Sequence, residues 1–278
     1  MVLMDCRCIW KSQPLKFQIN QKMAFINIKM ASEPSFVFHH IPKTAGTSFM
    51  SVVHNWFHVF SDYEGLYKSR HEFRMHPVDL DLLSASSVLA GHWNTAISTI
   101  DLRYPSMKGD PRFQFFSFLR DPLEMNISMF NYRWKMDPID CQRHKRYDNL
   151  SNYLASTNNV VSKLMGCDSL NFKTVLERYY FIGITERMED SIGVYKKKTL
   201  DMLRNFPDSC MAKRQICIIE NKPEIQQQRL NVVSRKQDKD IIPEHELKEF
   251  KEKNALDYML YESAMKKLEE SLSEAVFP

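Results

Sequence analysis

The stretch SFVFHHIPKTAGTS, residues 35–48, decides the fold predicted for this chain. Its first part, Ser35–Ile41, is an apolar run followed by turn-forming residues, which is typical of a buried strand in a parallel sheet. After it, Thr47–Val59 (TSFMSVVHNWFHV) places apolar side chains at helical spacing. We therefore expect a strand, a tight loop over Lys43–Ser48 and a helix, in that order.

The loop between this strand and this helix has the character of an anion site. A loop that leads into a helix N-terminus directs backbone N–H groups and the positive end of the helix dipole at one spot. The letters PKTAG contain the Lys-Thr pair of a nucleotide P-loop, but Gly46 follows the lysine and no glycine precedes it. This disfavours a Walker-type kinase. It leaves either a phosphate-binding loop or an ordinary connection between a strand and a helix.

Strand and helix patterns alternate along the rest of the chain. Three further apolar runs predict strands, at Ser87–Gly91, Arg112–Leu119 and Tyr180–Ile184. Helices are predicted from Pro122, with Asp121 as N-cap and Glu124 at the third helical position, and over Asn149–Met165, Leu170–Tyr179, from Glu186, and over Glu244–Leu272. The alternation predicts an α/β fold with a single doubly wound, mainly parallel sheet. We assign it to a domain of residues 35–278, preceded by a loosely attached extension, residues 1–34.

Composition and charge limit the classes of function. The chain has 278 residues, 44% of them hydrophobic and 26% charged, as is usual for a globular protein with a full core. Its formal net charge of +4 suits an anionic ligand, and the Lys/Glu-rich C-terminal helix is most simply a solvated face. No stretch approaches the ~20 apolar residues of a membrane helix. We expect neither nucleic-acid binding nor a membrane span in this chain.

The six cysteines offer no clear metal site. Cys6 and Cys8 are too close for a usual zinc site and have no matching second pair. Cys210 and Cys217 would close a short disulfide loop in an oxidising compartment, or they remain thiols.

A second basic residue follows a predicted strand. Arg120 comes directly after Leu119, and Ser128 lies eight positions further on, inside the next helix. Because the carboxyl ends of parallel strands line one crevice, Arg120 and Lys43 should converge there. Arg presents a planar fork to a phosphate, and Ser adds a hydroxyl donor. The alternative is an ion pair between Arg120 and Asp121 at the helix start.

Together, HIPKTAGTS and FLRDPLEMNISMFNY resemble the cofactor signatures of sulfotransferases that use 3′-phosphoadenosine 5′-phosphosulfate (PAPS). The resemblance is closest to the Golgi carbohydrate sulfotransferases of the heparan and uronyl 2-O type. It continues more weakly in AGHWN, NNVVSKLMG, IGITERMEDSI and NALDYMLYESA, and so extends from about Ser35 to Leu268. It implies a fold like that of sulfotransferases and nucleotide kinases, with a P-loop-like phosphate-binding loop.

The resemblance also implies which residues bind PAPS. The first segment would hold the 5′-phosphosulfate and the second the 3′-phosphate, while LNVVSRKQ (residues 230–237) lies where relatives have a mobile loop over the cofactor. The implied contacts are Lys43, Thr44, Ala45, Gly46, Thr47 and Ser48, then Arg120 and Ser128, and in the third segment Ser234 and Arg235. For the third segment, a solvated basic loop is the alternative. We expect no metal, because a sulfuryl group carries less charge than a phosphoryl group.

His92 is the candidate general base. It follows the predicted strand that ends at Gly91, and the GH pair corresponds to the catalytic histidine of the resembled family. An imidazole with an unperturbed pKa of about 6.5 is largely neutral at pH 7 and can accept a proton. A histidine that merely packs at a strand end is the alternative. Lys43 would also be catalytic, by neutralising the leaving phosphate, and we expect an orienting or structural role for His40.

The leading hypothesis is an O-sulfotransferase that transfers the sulfuryl group of PAPS to a carbohydrate hydroxyl by in-line displacement. Three alternatives stay open: a small-molecule or lipid hydroxyl as acceptor, a non-catalytic nucleotide-binding module, and a P-loop kinase. The basic residues Lys68, Arg70, His71, Arg74 and Arg103 would suit an acidic polysaccharide, with a solvated loop as the alternative. A homo-oligomer is also open. We expect the protein to act in the Golgi lumen if a membrane anchor is missing from this chain, and otherwise to be soluble and cytoplasmic.

Overall fold

Five parallel strands form one sheet at the centre of the computed structural model, which describes residues 33–62, 77–93, 100–136 apart from Leu102, 149–222 and 242–276. The strands are β1 (Ser35–His39), β2 (His58–Ser61), β3 (Ser87–Gly91), β4 (Phe113–Leu119) and β5 (Tyr179–Ile184). Their order across the sheet is β2-β3-β1-β4-β5, and every neighbouring pair is parallel. The prediction of an α/β fold around a single parallel sheet is confirmed.

Strand β1 occupies the middle of the sheet. Val37 is in register with Leu89 of β3 on one side and with Phe115 of β4 on the other. All five residues of β1 are buried, because helices or neighbouring side chains cover both of its faces. A strand buried on both faces has no polar side to alternate with its apolar side. This is why the sequence there is almost continuously apolar.

The described helices pack around the sheet. They are α1 (Gly46–Trp56), α2 (Pro122–Met136), α3 (Leu150–Ser156), α4 (Val160–Met165), α5 (Phe172–Arg178), α6 (Met188–Arg204), α7 (Cys210–Asn221), α8 (Glu244–Lys253) and α9 (Ala255–Val276). On one face the ring centroid of Phe49 in α1 lies 4.4 Å from that of Phe118 in β4 and 5.3 Å from that of Tyr195 in α6. Aromatic contacts of this kind join helices to the sheet across the core. None of the helices in the described ranges is both long and apolar enough to cross a membrane.

The helix predicted over Thr47–Val59 ends earlier than expected. Helix α1 stops at Trp56, and Phe57 is extended, with φ −124° and ψ 154°. The next four residues form β2, the edge strand that pairs with β3 and that the sequence analysis missed. Four residues with a half-exposed pattern give too short an alternation to stand out against the preceding helical spacing.

Two predicted helices are each broken in two by an asparagine. Asn159, with φ 45°, separates α3 from α4, and Asn254 separates α8 from α9. The two asparagines are hydrogen-bonded to each other's segments. The side-chain oxygen of Asn254 accepts the backbone N–H of Asn159 at 2.8 Å, and that of Asn159 accepts the N–H of Leu256 at 3.1 Å. Side-chain amides thus satisfy the backbone groups that each break exposes.

A buried carboxylate strengthens the same junction. Asp257 accepts the backbone N–H of Val161 at 3.0 Å and both the N–H and the hydroxyl of Ser162, at 2.7 and 2.5 Å. Burial raises the pKa of Asp257, and the hydrogen bonds oppose that rise because they favour the ionised form. The segments NNVVSKLMG and NALDYMLYESA, which the sequence analysis considered separately, meet at this junction.

We expect Asp257→Ala to lower the free energy of unfolding by about 3 kcal/mol, because it leaves buried N–H donors without an acceptor. Asp208→Ala, at an exposed turn, is the matched control and should change it by less than about 0.5 kcal/mol. Urea unfolding of the two variants measures both values. Equal, small effects would show that the junction is not stabilised by this carboxylate.

The cysteines considered for a disulfide lie on one helix. Cys210 and Cys217 are both in α7, seven residues apart. At 1.5 Å rise per residue their Cα atoms are about 10 Å apart, whereas a disulfide requires less than about 7 Å. The interpretation of a disulfide between Cys210 and Cys217 is therefore wrong.

Candidate functional site

Polar residues follow the carboxyl ends of all five strands at one edge of the sheet. In spatial order from β2 to β5 they are Asp62, His92, His40, Arg120 and Thr185. The chain leaves β1 toward β2 and β3 on one side and later continues with β4 and β5 on the other. The switch point of the sheet therefore lies between β1 and β4. The loop of Lys43 and the guanidinium of Arg120 lie on either side of it.

The loop from β1 to α1 has an unusual backbone. Lys43 and Ala45 both adopt left-handed conformations, with φ of 66° and 61°. Few residues other than glycine adopt this region, and both side chains are forced into it by a very short turn. Ala45 is the N-cap of α1, and its carbonyl accepts the N–H of Phe49 at 3.1 Å. The first turn of α1 at residues 46–48 therefore opens toward the same strand edge, with N–H groups that an α-helix does not use internally.

Position 46 must be glycine because the His40 ring occupies the space that a side chain would need. A Cβ atom at position 46 would lie 2.0 Å from both Cδ2 and Nε2 of that imidazole. His40 is 8% exposed, and its ring packs against the backbone at the start of α1. The single glycine of this loop thus serves a close approach of a side chain, whereas the glycines of a P-loop serve the approach of a phosphate.

The imidazoles of His40 and His92 stack on each other. Their ring centroids are 4.0 Å apart, with an angle of 28° between the planes. Nδ1 of His92 lies 2.7 Å from the backbone oxygen of His40, which can only accept a hydrogen bond. We therefore assign the proton of the neutral His92 ring to Nδ1. The lone pair of that ring is then on Nε2.

Burial keeps the histidines of this edge neutral. It lowers the pKa of His40 to about 3 and that of His39 to about 4. It also lowers the pKa of His92 below 6.5, and the hydrogen bond to the His40 carbonyl partly opposes this effect. All three rings are therefore uncharged at pH 7. His39, whose Nδ1 is 2.7 Å from the Tyr179 hydroxyl, is enclosed in the core.

Lys43 is a half-buried cation beside a second cation. Burial lowers its pKa, and the nearby guanidinium of Arg120 lowers it further. Among the described residues it forms no ion pair with a carboxylate, and its Nζ lies 4.3 Å from the ring centroid of Tyr132 in α2. Tyr132 is not among the site residues predicted from the sequence. The only signal was its position four residues after Ser128.

Arg120 is held by carboxylates from two elements. Its Nη2 is 3.3 Å from Glu124, and its Nε is 3.9 Å from Glu186. Nη1 is 3.5 Å from the backbone oxygen of Lys43, so the structure brings the two predicted basic segments into contact. Asp121 caps α2, as predicted, by accepting the N–H of Glu124 at 3.0 Å. Burial lowers the pKa of Arg120, while Glu186 and Asp121 oppose the shift.

Thr185, which was not predicted as a site residue, links the loop after β1 to the end of β4. Its hydroxyl is shared between the carbonyl oxygens of Thr44, at 3.0 Å, and Leu119, at 2.9 Å. The next residue, Glu186, accepts the backbone N–H of Asp121 at 3.1 Å. These two residues directly follow β5. Because the carboxyl ends of parallel strands line one crevice, they could have been predicted at the site for the same reason as Arg120, which follows β4.

The other predicted contacts have different surroundings. Thr44 is fully buried and donates its hydroxyl to the Ile41 carbonyl at 2.9 Å, so its side chain supports the loop from inside. Thr47 is exposed and Ser48 half-buried in the first turn of α1, and Ser128 is half-buried in α2. Ser234 and Arg235 lie outside the described residues.

A buried carboxylate organises the β2 side of the edge. Asp62 accepts hydrogen bonds from the Arg103 guanidinium and the Tyr104 hydroxyl, all at 2.6 Å, and from the Trp93 indole at 3.4 Å. Trp93 directly follows His92, so this network fixes the backbone that carries the histidine. Arg103, considered above for an acidic acceptor, is bound to Asp62, while Lys68, Arg70, His71 and Arg74 lie outside the described residues.

Neither metal ligation nor sequence comparison assigns the site. Across the described ranges, no three or more His, Cys, Asp and Glu side chains are grouped so that they could hold a metal ion. No protein-family model matches the chain, and no curated protein matches its sequence. What the site can do chemically therefore follows from its own geometry: two cations and a helix N-terminus beside a neutral imidazole.

We expect Gly46→Ala to lower the free energy of unfolding by about 1–3 kcal/mol, because the new methyl group displaces the His40 ring. Gly193→Ala is the matched control, since a Cβ there meets nothing within 4 Å inside α6. It should instead raise stability by about 0.5–1 kcal/mol. Urea unfolding measures both, and a neutral or stabilising Gly46→Ala would contradict the close approach of His40.

Proposed function

We propose that this protein is a PAPS-dependent O-sulfotransferase that moves the sulfuryl group to an acceptor hydroxyl by in-line displacement. The observation that carries the proposal is the arrangement around one loop. Lys43 and the start of α1 lie between His92 on the β3 side and Arg120 on the β4 side. Neighbouring strands are about 4.8 Å apart, so the strand ends that carry His92 and Arg120 are about two strand spacings apart. Such a separation suits a ligand with a reacting group at one end and a second anionic group further along.

The loop supplies the charge that the leaving phosphate needs. The Lys43 ammonium, which forms no ion pair within the described residues, and the N–H groups at the start of α1 both act on an anion there. In the displacement, the S–O bond to the phosphate breaks while the bond from the acceptor oxygen to sulfur forms. Negative charge develops on the departing phosphate oxygen, and a fixed cation at that point lowers the barrier.

Arg120 suits the 3′-phosphate of the nucleotide. Nη2 donates to Glu124 at 3.3 Å and so anchors one end of the guanidinium, whereas Glu186 lies 3.9 Å from Nε, beyond hydrogen-bond distance. Nη1, directed toward the loop, makes only a 3.5 Å contact within the described residues and can donate to a phosphate oxygen. Ser128 lies on the face of α2 that carries Glu124, about one turn further along the helix. It adds a hydroxyl donor.

His92 suits the role of general base. Its Nδ1 proton is directed at the His40 carbonyl, so Nε2 is the atom that takes the proton of the acceptor hydroxyl. The stacked His40 ring is itself neutral, and therefore does not oppose the charge that His92 gains. A module that only binds nucleotides would need neither the oriented imidazole nor its fixed tautomer.

We propose a carbohydrate hydroxyl as the acceptor. If an anchor is missing from this chain, the enzyme acts in the Golgi lumen. Both follow from the resemblance of the two segments to the carbohydrate sulfotransferases. A small-molecule or lipid hydroxyl is the alternative acceptor. Sulfation of a panel of glycans and simple alcohols with labelled PAPS decides between them, since the preferred acceptor should be used far more efficiently than the other class.

We expect Arg120→Ala to weaken binding of adenosine 3′,5′-bisphosphate about 10- to 100-fold, because it removes a charge-assisted hydrogen bond. Binding of 5′-AMP, which lacks the 3′-phosphate, should barely change. Calorimetric titration measures both ligands, with ATP and Mg²⁺ as a third titrant. Arg187→Ala, at a more exposed arginine paired with Asp190, is the control.

Equal weakening of both nucleotides by Arg120→Ala would contradict the assignment of the 3′-phosphate. Tighter binding of the wild type to ATP with Mg²⁺ than to adenosine 3′,5′-bisphosphate would favour a kinase over the proposed activity.

We expect His92→Ala to reduce kcat about 10²- to 10⁴-fold while the affinity for adenosine 3′,5′-bisphosphate stays unchanged. In the wild type, kcat/KM should fall as the pH drops, because protonation removes the base. The midpoint should lie below 6.5, since burial lowers the pKa of His92. His54→Ala, at an exposed position in α1, is the control and should keep the wild-type profile. Full activity of His92→Ala would place the base elsewhere.

A further inference from the structure

The Lys43 ammonium lies in an environment that does not favour a cation. It is half-buried, next to Arg120, and on a residue with φ 66°, so both its electrostatic and its backbone environments are unfavourable. A carboxylate would hold it in place but would also neutralise it. Within the described part of the chain, the ammonium lies over the face of the Tyr132 ring, and Nζ is 4.3 Å from the ring centroid.

An aromatic ring holds a cation in a different way from a carboxylate. The attraction comes from the ring quadrupole, and the ring carries no net charge. Lys43 therefore keeps its full positive charge for an anion at the loop. Arg120, in contrast, is held by Glu124 and Glu186 and faces an anion with its charge largely balanced.

Tyr132 is placed by the same helix that carries the other proposed contacts. Glu124, Ser128 and Tyr132 follow one another at four-residue intervals, so they share one face of α2. Glu124 contacts Arg120 at one end of this face, and Tyr132 contacts Lys43 at the other. One rigid helix thus sets the positions of both cations.

We propose that Tyr132 is a positioning residue, which holds the Lys43 ammonium at the loop as an unneutralised cation for the phosphosulfate group. The proposal rests on the proposed function for the identity of the ligand. It does not depend on that function for the contact itself, because any anion of the same chemistry would meet the same charge at the loop.

The test compares Tyr132→Leu with Tyr132→Phe, alone and in a Lys43→Met background. Calorimetric titration uses two probes: inorganic pyrophosphate, which needs only the loop, and adenosine 3′,5′-bisphosphate. We expect Tyr132→Leu to weaken both about 2- to 30-fold, and Tyr132→Phe, which keeps the ring, to recover most of the loss. In the Lys43→Met background, Tyr132→Leu should cost nothing further.

Phe130→Leu is the matched control. It also removes an aromatic ring from α2, but that ring packs on Tyr153, with 5.5 Å between the centroids, so anion binding should stay at the wild-type value. As a readout independent of any ligand, the ε-CH₂ resonance of Lys43 should be shifted upfield by the ring. The shift should persist in Tyr132→Phe and vanish in Tyr132→Leu.

The proposal is overturned if Tyr132→Leu binds pyrophosphate as tightly as the wild type does, or if it weakens binding equally when Lys43 is methionine. It is also overturned if the wild type binds neither probe. Pyrophosphate binding with the expected coupling, but no binding of adenosine 3′,5′-bisphosphate, would instead contradict the proposed function and leave the role of Tyr132 supported.

Discussion

The contact of the His40 ring with the backbone of Gly46 is the constraint on which the site depends. It brings the end of β1 against the first turn of α1 and leaves no room for a side chain at position 46. The same ring stacks on His92, and the carbonyl of the same residue orients the His92 imidazole. One buried, neutral histidine therefore determines both the shape of the loop and the tautomer of the neighbouring ring. Burial is what keeps it neutral, because a charged His40 would be costly in this environment.

The two cations of the site differ in the charges that surround them. Lys43 lies against a ring with no net charge, while Arg120 lies between two carboxylates. An anion at the loop would meet a charge that no carboxylate of the described residues balances, so it would gain the larger electrostatic stabilisation. At Arg120 the gain would be smaller, because Glu124 and Glu186 lie beside the guanidinium, but its planar fork would define the direction of the hydrogen bonds better than an ammonium does.

The elements that could be predicted from the sequence are those whose defining interactions lie within a few residues of one another. Strands β1, β3, β4 and β5 follow from apolar runs, and Asp121 was recognised as a cap, because both signals lie within a few residues. Strand β2 was missed, since its four residues are defined by pairing with β3. The helix breaks at Asn159 and Asn254 were missed because each is stabilised by hydrogen bonds to a segment about 95 residues away. Tyr132, Thr185 and Glu186 act across the strand edge, and nothing in their own neighbourhood indicates which residues they contact.

The hydroxyl of Thr185 has a consequence for how the two cationic segments are held relative to each other. By bonding the carbonyls of Thr44 and Leu119, it fastens the loop after β1 to the end of β4, on either side of the switch point. The hydroxyl has one proton to donate, and its two short contacts couple the position of one cationic segment to that of the other. For the ligand proposed above, which carries a negative group at each end, this link would therefore set the spacing that the two groups must have.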